Sequence, residues 1–470
     1  MKTEPNELIR DEAGWTAGAS SRMTRRSLLK SSLGAAVLVA APEYLFPKAG
    51  RAAAARGGAA SHFFLYGILD PTADSAPSIQ AGRPDSAGPP STVANGLAAP
   101  PIRSADGTRL ALVLLGQRGA IAAVKVSVLD AVTATEISSS TLTFPGLPDA
   151  LIIANATFVG SSTVVGLVLS VTTPKSRRML PKLDPLTGDT RMVESVTWVS
   201  RHVLAYFNST TGKFAGPFDL ADAPSLAHVN LAANDKDLFL WTLAEPAAVM
   251  GTKDNPLPAP VPQLSVFPIG SGKARVTIDA SPVWPVNDEP IASLPNGALA
   301  RLVYGRHVET YAPDTGRHST VTIDPLAKDI DRPARTTMQL RSDGLAFFAN
   351  PGLGVAAIAD PARGFAVLST VSSTPGVAPA GGPQSKAVLS ADAKTVYAVG
   401  TAAGAGLSAY DVGSGRLQAA ATSREYTAVY GLPSGGLLAI ANDNPRLSFF
   451  DPALNQLGTA DTNLNVVEVY

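Results

Sequence analysis

The sequence predicts an all-β chain built from repeated four-stranded units closed into a ring. Three observations predict it. Beyond residue 100 no stretch sustains the 3.6-residue apolar period of an amphipathic helix. Short runs rich in Val, Leu, Ile, Tyr and Phe are separated by Gly, Pro, Asp and Asn, which is how strands are punctuated. One pattern, a strand end followed by a polar turn and a new strand, recurs along the chain: "YFNSTTGKF" at Tyr206, "VFPIGSGKA" at Val266, "TYAPDTGRH" at Thr310, "AIADPARGF" at Ala357, "AYDVGSGRL" at Ala409 and "FFDPALNQL" at Phe449, with a degenerate copy, "VLDAVTATEI", at Val128.

In these copies Tyr, Val or Phe closes a strand and Asp or Asn opens the turn through its side-chain acceptor. Gly takes the left-handed position, and Lys or Arg starts the next strand. Each copy is one hairpin. A second element, a tight polar turn leading into an apolar strand, precedes several of them: "SADGTRLALVLL" at Ser104, "RSDGLAFFAN" at Arg341, "SADAKTVYAVG" at Ser390 and "LPSGGLLAIAN" at Leu432. Two hairpins make a four-stranded sheet. The turn glycines Gly212, Gly272, Gly316, Gly364 and Gly415 fall 44 to 60 residues apart, near the roughly 40 to 50 residues of one β-propeller blade.

At the N-terminus, Thr24-Arg25-Arg26-Ser27-Leu28-Leu29-Lys30 resembles the motif of twin-arginine signal peptides: Ser or Thr, two arginines, any residue, a large apolar pair, then often lysine. The one departure is Leu28, where that family commonly has phenylalanine. The apolar run that follows, residues 31–41, is too short for the roughly 20 residues a bilayer span needs. Lys48 and Arg51 precede Ala52-Ala53-Ala54-Ala55, a small-residue tract suited to cleavage. The resemblance covers the first 55 residues and implies export of an already folded protein by the twin-arginine translocase, to an extracytoplasmic site without a stable membrane anchor.

Residues 56–100 are rich in Gly, Ala, Pro and Ser, interrupted by the apolar run "HFFLYGILD" at His62, which reads as one strand. Residues 71–101, with Pro89-Pro90 and Pro100-Pro101, read as an extended linker. Residues 101–470 form the propeller domain. Counting one blade per turn gives seven, starting near Ile102, Ile153, His228, Ile291, Thr337, Ala387 and Tyr426, with eight as the rival count. An extra copy, "LDPLTGDT" at Leu183, lies too close to the one at Tyr206 for a whole blade and reads as an elongated hairpin in the second unit. The terminal "NVVEVY" reads as a final strand that pairs with N-terminal material around residues 62–70 to close the ring.

The "S-x-D-G-(K/R)-x-(L/V)" turn and the "Y-D-x-x-(T/S)-G-(K/R)" hairpin resemble the repeats of WD40-like and YVTN-type bacterial β-propellers, most closely over residues 386–461 and less so over residues 301–370. No unit ends in the Trp-Asp pair of eukaryotic repeats. The regularly placed tryptophans of quinone-dependent dehydrogenase propellers are missing, with four Trp in all. The resemblance therefore implies the fold and no active site.

Charge gives no reason to expect a nucleic-acid partner: 38 Lys/Arg balance 38 Asp/Glu. Removing the first 55 residues leaves 30 against 33. The absence of cysteine removes disulfides, thiolate metal sites and a cysteine nucleophile together. The five histidines, His62, His202, His228, His307 and His318, lack the spacing of a zinc site, although His307 and His318 flank one hairpin and could face each other. No Gly-x-Ser-x-Gly elbow opens a helix. Asp288-Glu289, residues 324–331 and Asn442-Asp443-Asn444 could supply oxygen ligands to calcium but equally suit exposed loops. No cofactor is expected beyond that, and no catalytic residue can be named.

Two insertions exceed what a compact propeller needs. Residues 174–194 are basic through Lys175, Arg177, Arg178 and Lys182, and residues 244–263 are rich in Pro and Ala. The reading preferred is an exported propeller that binds or scaffolds a protein, glycan or small-molecule partner at a mouth of the channel or on these insertions. The alternative is an extracytoplasmic enzyme, a lactonase-like hydrolase or cofactor-dependent oxidoreductase, with polar groups from several blades converging in the channel.

Overall fold

A computed structural model gives the fold. It describes residues 62–470 apart from single positions, the pairs 119–120, 342–343 and 433–434, and the loops 69–76, 145–150, 160–162, 184–189, 221–225, 245–260, 280–290, 327–335, 351–354, 373–386, 400–405 and 442–445. The signal motif lies outside the described residues.

Among the described residues thirty-two strands form eight four-stranded antiparallel sheets. Blade 1 takes β1 (Phe63–Ile68), β2 (Ser78–Gly82) and β3 (Ser91–Asn95). Blade 2 takes β4 (Ile102–Arg103), β5 (Arg109–Arg118), β6 (Ile121–Asp130) and β7 (Glu136–Phe144). Blade 3 takes β8 (Leu151–Val159), β9 (Val164–Leu183), β10 (Thr190–Asn208) and β11 (Lys213–Asp219). Blade 4 takes β12 (Leu226–Ala233), β13 (Asp237–Ala244), β14 (Val261–Pro268) and β15 (Val276–Asp279). Blade 5 takes β16 (Ala292–Ser293), β17 (Leu299–Val303), β18 (His307–Ala312) and β19 (Arg317–Thr322). Blade 6 takes β20 (Thr337–Leu340), β21 (Ala346–Asn350), β22 (Val355–Asp360) and β23 (Ala366–Ser372). Blade 7 takes β24 (Ala387–Leu389), β25 (Thr395–Val399), β26 (Leu407–Asp411) and β27 (Leu417–Ala421). Blade 8 takes β28 (Tyr426–Gly431), β29 (Leu437–Ala441), β30 (Arg446–Phe450) and β31 (Gln456–Asp461). The last strand, β32 (Asn465–Val469), returns to blade 1 and pairs with β1.

The core is divided among the blade interfaces rather than gathered at one centre. Eight apolar clusters are each shared by two neighbouring blades. Strand alternation sends successive side chains to opposite interfaces. Phe63 and Leu65 pack toward Phe449 of blade 8, while Phe64 and Tyr66 pack toward Leu110 and Leu112 of blade 2. Because one cluster joins blade 8 to blade 1, the ring is closed. The chain is an eight-bladed β-propeller.

Closure follows the expectation for the C-terminal strand. Leu65 registers with Val469 and Tyr66 with Glu468. Phe64 and Tyr470 exchange backbone hydrogen bonds of 3.1 and 2.9 Å. Gln80 Nε2 donates to Asn463 Oδ1 at 2.6 Å, and Thr462 Oγ1 donates to Gln80 Oε1 at 2.9 Å.

The seven starts read from the sequence each fall on or next to the first strand of a sheet. The eighth blade is not the extra copy at Leu183, which forms the elongated β9–β10 hairpin as expected. It is made from the N-terminal segment, and the region read as a linker contributes β2 and β3. The physical reason is that Ile79 and Ala81 are buried by Phe64, Leu110 and Tyr470, which come from elsewhere in the chain. Within the segment itself, Pro, Gly and Ser dominate.

The recurring turns account for the repeat. Leading into the second strand of blades 2, 5, 6, 7 and 8, the backbone N–H of Gly107, Gly297, Gly344, Ala393 and Gly435 donates to the carbonyl three residues earlier, and each of these residues has positive φ. In the later hairpins Asp130, Asn208, Asp360, Asp411 and Asp451 accept backbone N–H bonds from residues two to four positions on. One expected turn glycine differs: in the copy at Val266 the left-handed residue is Gly270. Gly272 is instead pressed against the Phe218 ring of the preceding blade, where a Cβ would overlap the ring.

Candidate binding surface

The first strand of each blade is innermost, because first strands of neighbouring blades touch one another and the last strands are largely exposed. In blade 1 the innermost place is taken by β32. The described half-buried polar residues on these strands are Arg103, Asn155, Ser293, Thr337, Gln339, Thr427 and Glu468, drawn from six blades. They bring one cation, one carboxylate, two amides and three hydroxyls around the axis. Among the described residues no three His, Asp or Glu side chains gather so as to hold a metal ion.

His62, His202 and His307 each meet a different local partner, and the His228 side chain lies outside the described residues. His307 registers with Thr322 and His318 with Tyr311, so the two lie at opposite ends of their hairpin and do not face each other. His307 Nδ1 lies 3.0 Å from Thr322 Oγ1. His62 Nδ1 lies 2.7 Å from the Val132 carbonyl of blade 2. His202 is buried, with Nδ1 2.9 Å from Ser170 Oγ, and burial pushes its pKa down. Of the acidic loops, Asp288-Glu289 and Asn442-Asp443-Asn444 lie outside the described residues, as does most of 324–331. The Pro/Ala insertion is likewise outside over 245–260.

The basic insertion is the most distinctive described surface. β8 pairs with β9 only as far as Thr172, and β11 pairs with β10 only from Val203 onward. Yet β9 and β10 stay paired with each other out to Leu183 and Thr190. Residues 173–183 and 190–201 therefore leave blade 3 as a two-stranded arm, reaching about 35 Å at the rise of an antiparallel strand. Its register pairs Met179 with Glu194 and Pro181 with Met192. Met179 and Met192 thus share one face as diagonal neighbours, 56% and 57% exposed. In the register Arg191 pairs with Lys182 and Ser195 with Arg178, at the positions that alternate with the two methionines.

The root of the arm is fastened. Leu220 N donates to the His202 carbonyl at 2.9 Å, closing the β10–β11 ladder. Beside it the Arg201 guanidinium makes a two-pronged contact with the Asp219 carboxylate, at 3.0 Å through Nη2. The Arg201 hydrogen bonds hold that carboxyl below its ordinary value, although the pair is exposed. Sequence reading located the insertion and its charge. What it could not supply is the continuous pairing, which depends on register across two strands of 20 and 19 residues.

No protein-family model and no curated protein sequence matches the chain. Among solved structures it is similar to dihydro-heme d1 dehydrogenase NirN in complex with DHE, at 13% identity over 88% of this chain and 76% of that one, with a TM-score of 0.46. It is also similar to Saccharomyces cerevisiae Sqt1, at 9% identity over 78% and 86% with a TM-score of 0.41. A third likeness is to Chaetomium thermophilum Sqt1 bound to the N-terminus of the ribosomal protein L10, at 12% identity over 77% and 86% with a TM-score of 0.36. None of these likenesses brings a ligand, an activity or a residue role to this chain.

Proposed function

We propose that this chain is an extracytoplasmic binding module, exported folded by the twin-arginine route, that engages a protein partner through the β9–β10 arm. The arm carries the reading. It plays no part in closing the ring, it exposes two methionines side by side, and a free two-stranded hairpin is marginal in water without a further partner. Methionine suits such a surface because its unbranched, polarizable side chain adapts to the shape it meets. The axial ring of mixed polar groups, with Glu468 its one carboxylate among the described innermost strands, offers less for the enzyme alternative, which needs acidic or imidazole groups from several blades.

Two experiments test this reading. Replacing Arg25 and Arg26 by lysine should leave the precursor in the cytoplasm, whereas the unaltered chain yields a mature protein beginning near Arg56; equal export of both would overturn the route. A chain whose arm is shortened to a tight turn between Thr172 and Arg201 should keep its melting transition and lose the protein recovered with the full-length bait from its host's envelope. Recovery of the same protein with both baits would remove the arm from the account.

A further inference from the structure

The two edges of the arm are not equivalent. The β9 edge carries Pro174 and Pro181, which have no N–H to give, each followed by a lysine. Natural sheets blunt an exposed edge with these residues. The β10 edge over residues 190–201 has no proline and is rich in Val, Thr and Trp, residues suited to pairing. Among the described residues no strand pairs with this edge, because β11 leaves the ladder at Asp219 and Leu220. An added strand would continue the line of β11 outward and turn the arm into three strands, the smallest sheet expected to be independently stable.

Charge indicates what that strand would carry. Residues 173–201 hold six Lys/Arg against three Asp/Glu, while the rest of the chain from residue 56 holds 24 against 30. The arm is a positive projection from a negative body. Two arms brought edge to edge would repel, so a second copy of this chain is the disfavoured occupant, and an acidic strand is the favoured one. An added strand would alternate as the arm does, with apolar residues in register with the exposed Met192 and Met179 and carboxylates at the positions between them.

Resting on the arm as the binding surface, the geometry points to strand addition: the β10 edge accepts an extended segment of a protein partner in which acidic and apolar side chains alternate. Backbone hydrogen bonds supply the pairing, and the positive charge of the arm with its exposed methionines selects the sequence.

The test uses the mature full chain and fluorescein-labelled peptides about ten residues long, roughly twice a common strand length. One alternates Glu with Val and Thr, a second alternates Lys with Val and Thr, and a third is the Glu peptide with every second backbone nitrogen methylated. Anisotropy should show binding of the Glu peptide and its loss on N-methylation. The R178E/K182E/R191E chain should bind the Glu peptide at least about tenfold more weakly and take up the Lys peptide instead, an exchange that a misfolded variant cannot produce. Binding that survives N-methylation, binding unchanged by charge reversal, or no binding of the Glu peptide would each overturn strand addition. So would a concentration-dependent dimer that charge reversal leaves intact. If the Glu peptide fails while the shortened arm still loses its partner, strand addition falls and the arm remains the binding surface. Failure of both removes the arm altogether.

Discussion

Ser104 Oγ lies 2.6 Å from Asp106 Oδ1, and in blade 7 Ser390 Oγ lies 2.6 Å from Asp392 Oδ1. The serine oxygen in turn accepts from the backbone of the residue that opens the next strand, Arg109 in one case and Thr395 in the other, both at 2.9 Å. Two distant segments thus build the same local network, and it depends on an ionised carboxylate.

The first prediction concerns that carboxylate. Burial alone would raise the Asp106 pKa, but hydrogen bonds from Ser104 and Thr108 outweigh it and hold the group below its ordinary 3.8. Its stabilising contribution is therefore complete well above pH 3.8 and is lost as the pH falls through the lower folded value. Asp106→Ala should cost about 1 kcal/mol at neutral pH. Asp106→Asn should flatten the acid limb of a melting-temperature titration. An unchanged acid limb would contradict the assignment.

Ala393 makes the second. It sits at φ 61° in the turn where Gly107, Gly297, Gly344 and Gly435 serve blades 2, 5, 6 and 8. Left-handed backbone costs an alanine about 1–2 kcal/mol, partly offset by the greater freedom glycine loses on folding. Ala393→Gly should stabilise the protein by about 0.5 kcal/mol and Gly107→Ala should destabilise it by about 1 kcal/mol in urea unfolding. Opposite signs would show that the turn is held by something other than backbone preference.

The third prediction lies at the closure. Val466 and Leu464 are buried in the cluster between blades 8 and 1, beside the Phe63–Phe449 ring pair at 5.2 Å. Val466→Asp places a carboxylate there and should cost about 3 kcal/mol or more. Removing residues 465–470 leaves blade 1 without its innermost strand. Amide exchange should then accelerate first in β1 and β2, and exchange that rises uniformly around the ring would argue against a local closure.

His202 supplies the fourth. Its pKa is lowered by burial, so the unfolded chain binds a proton there before the folded one does. Stability from this residue is present above the ordinary value of 6.5 and declines as the pH drops below it. His202→Gln should reduce the fall in melting temperature between about pH 7 and 5. The same slope in the variant would assign it to another group.

Much of this architecture was legible because propeller repeats are local. Asp411 and Gly415 mark a hairpin within a few residues, and the blade starts at Ile102 and Ala387 follow from such marks. Blade 1 was not legible in the same way. Ile79 is one apolar residue in a tract of Ser, Gln, Ala and Gly, and its burial is supplied by Tyr470 at the other end of the chain. The same limit applied to the histidines. Placing His307 and His318 at opposite ends of their hairpin required the pairing register, which their shared Gly-Arg-His context does not encode. For the arm, the basic run announced an insertion, but the shared face of Met179 and Met192 emerges only when Pro181 is known to register with Met192.

The central claim is that the arm is where this propeller meets another protein. The most direct measurement places a photo-crosslinking amino acid at Met179 or Met192, and at the exposed Leu368 and Leu457 of the outer strands of blades 6 and 8 as comparison, in the native host. The account predicts a discrete adduct of one added mass from both arm positions and none from the two comparison sites. Adducts of equal yield from all four positions, or from the comparison sites alone, would contradict it.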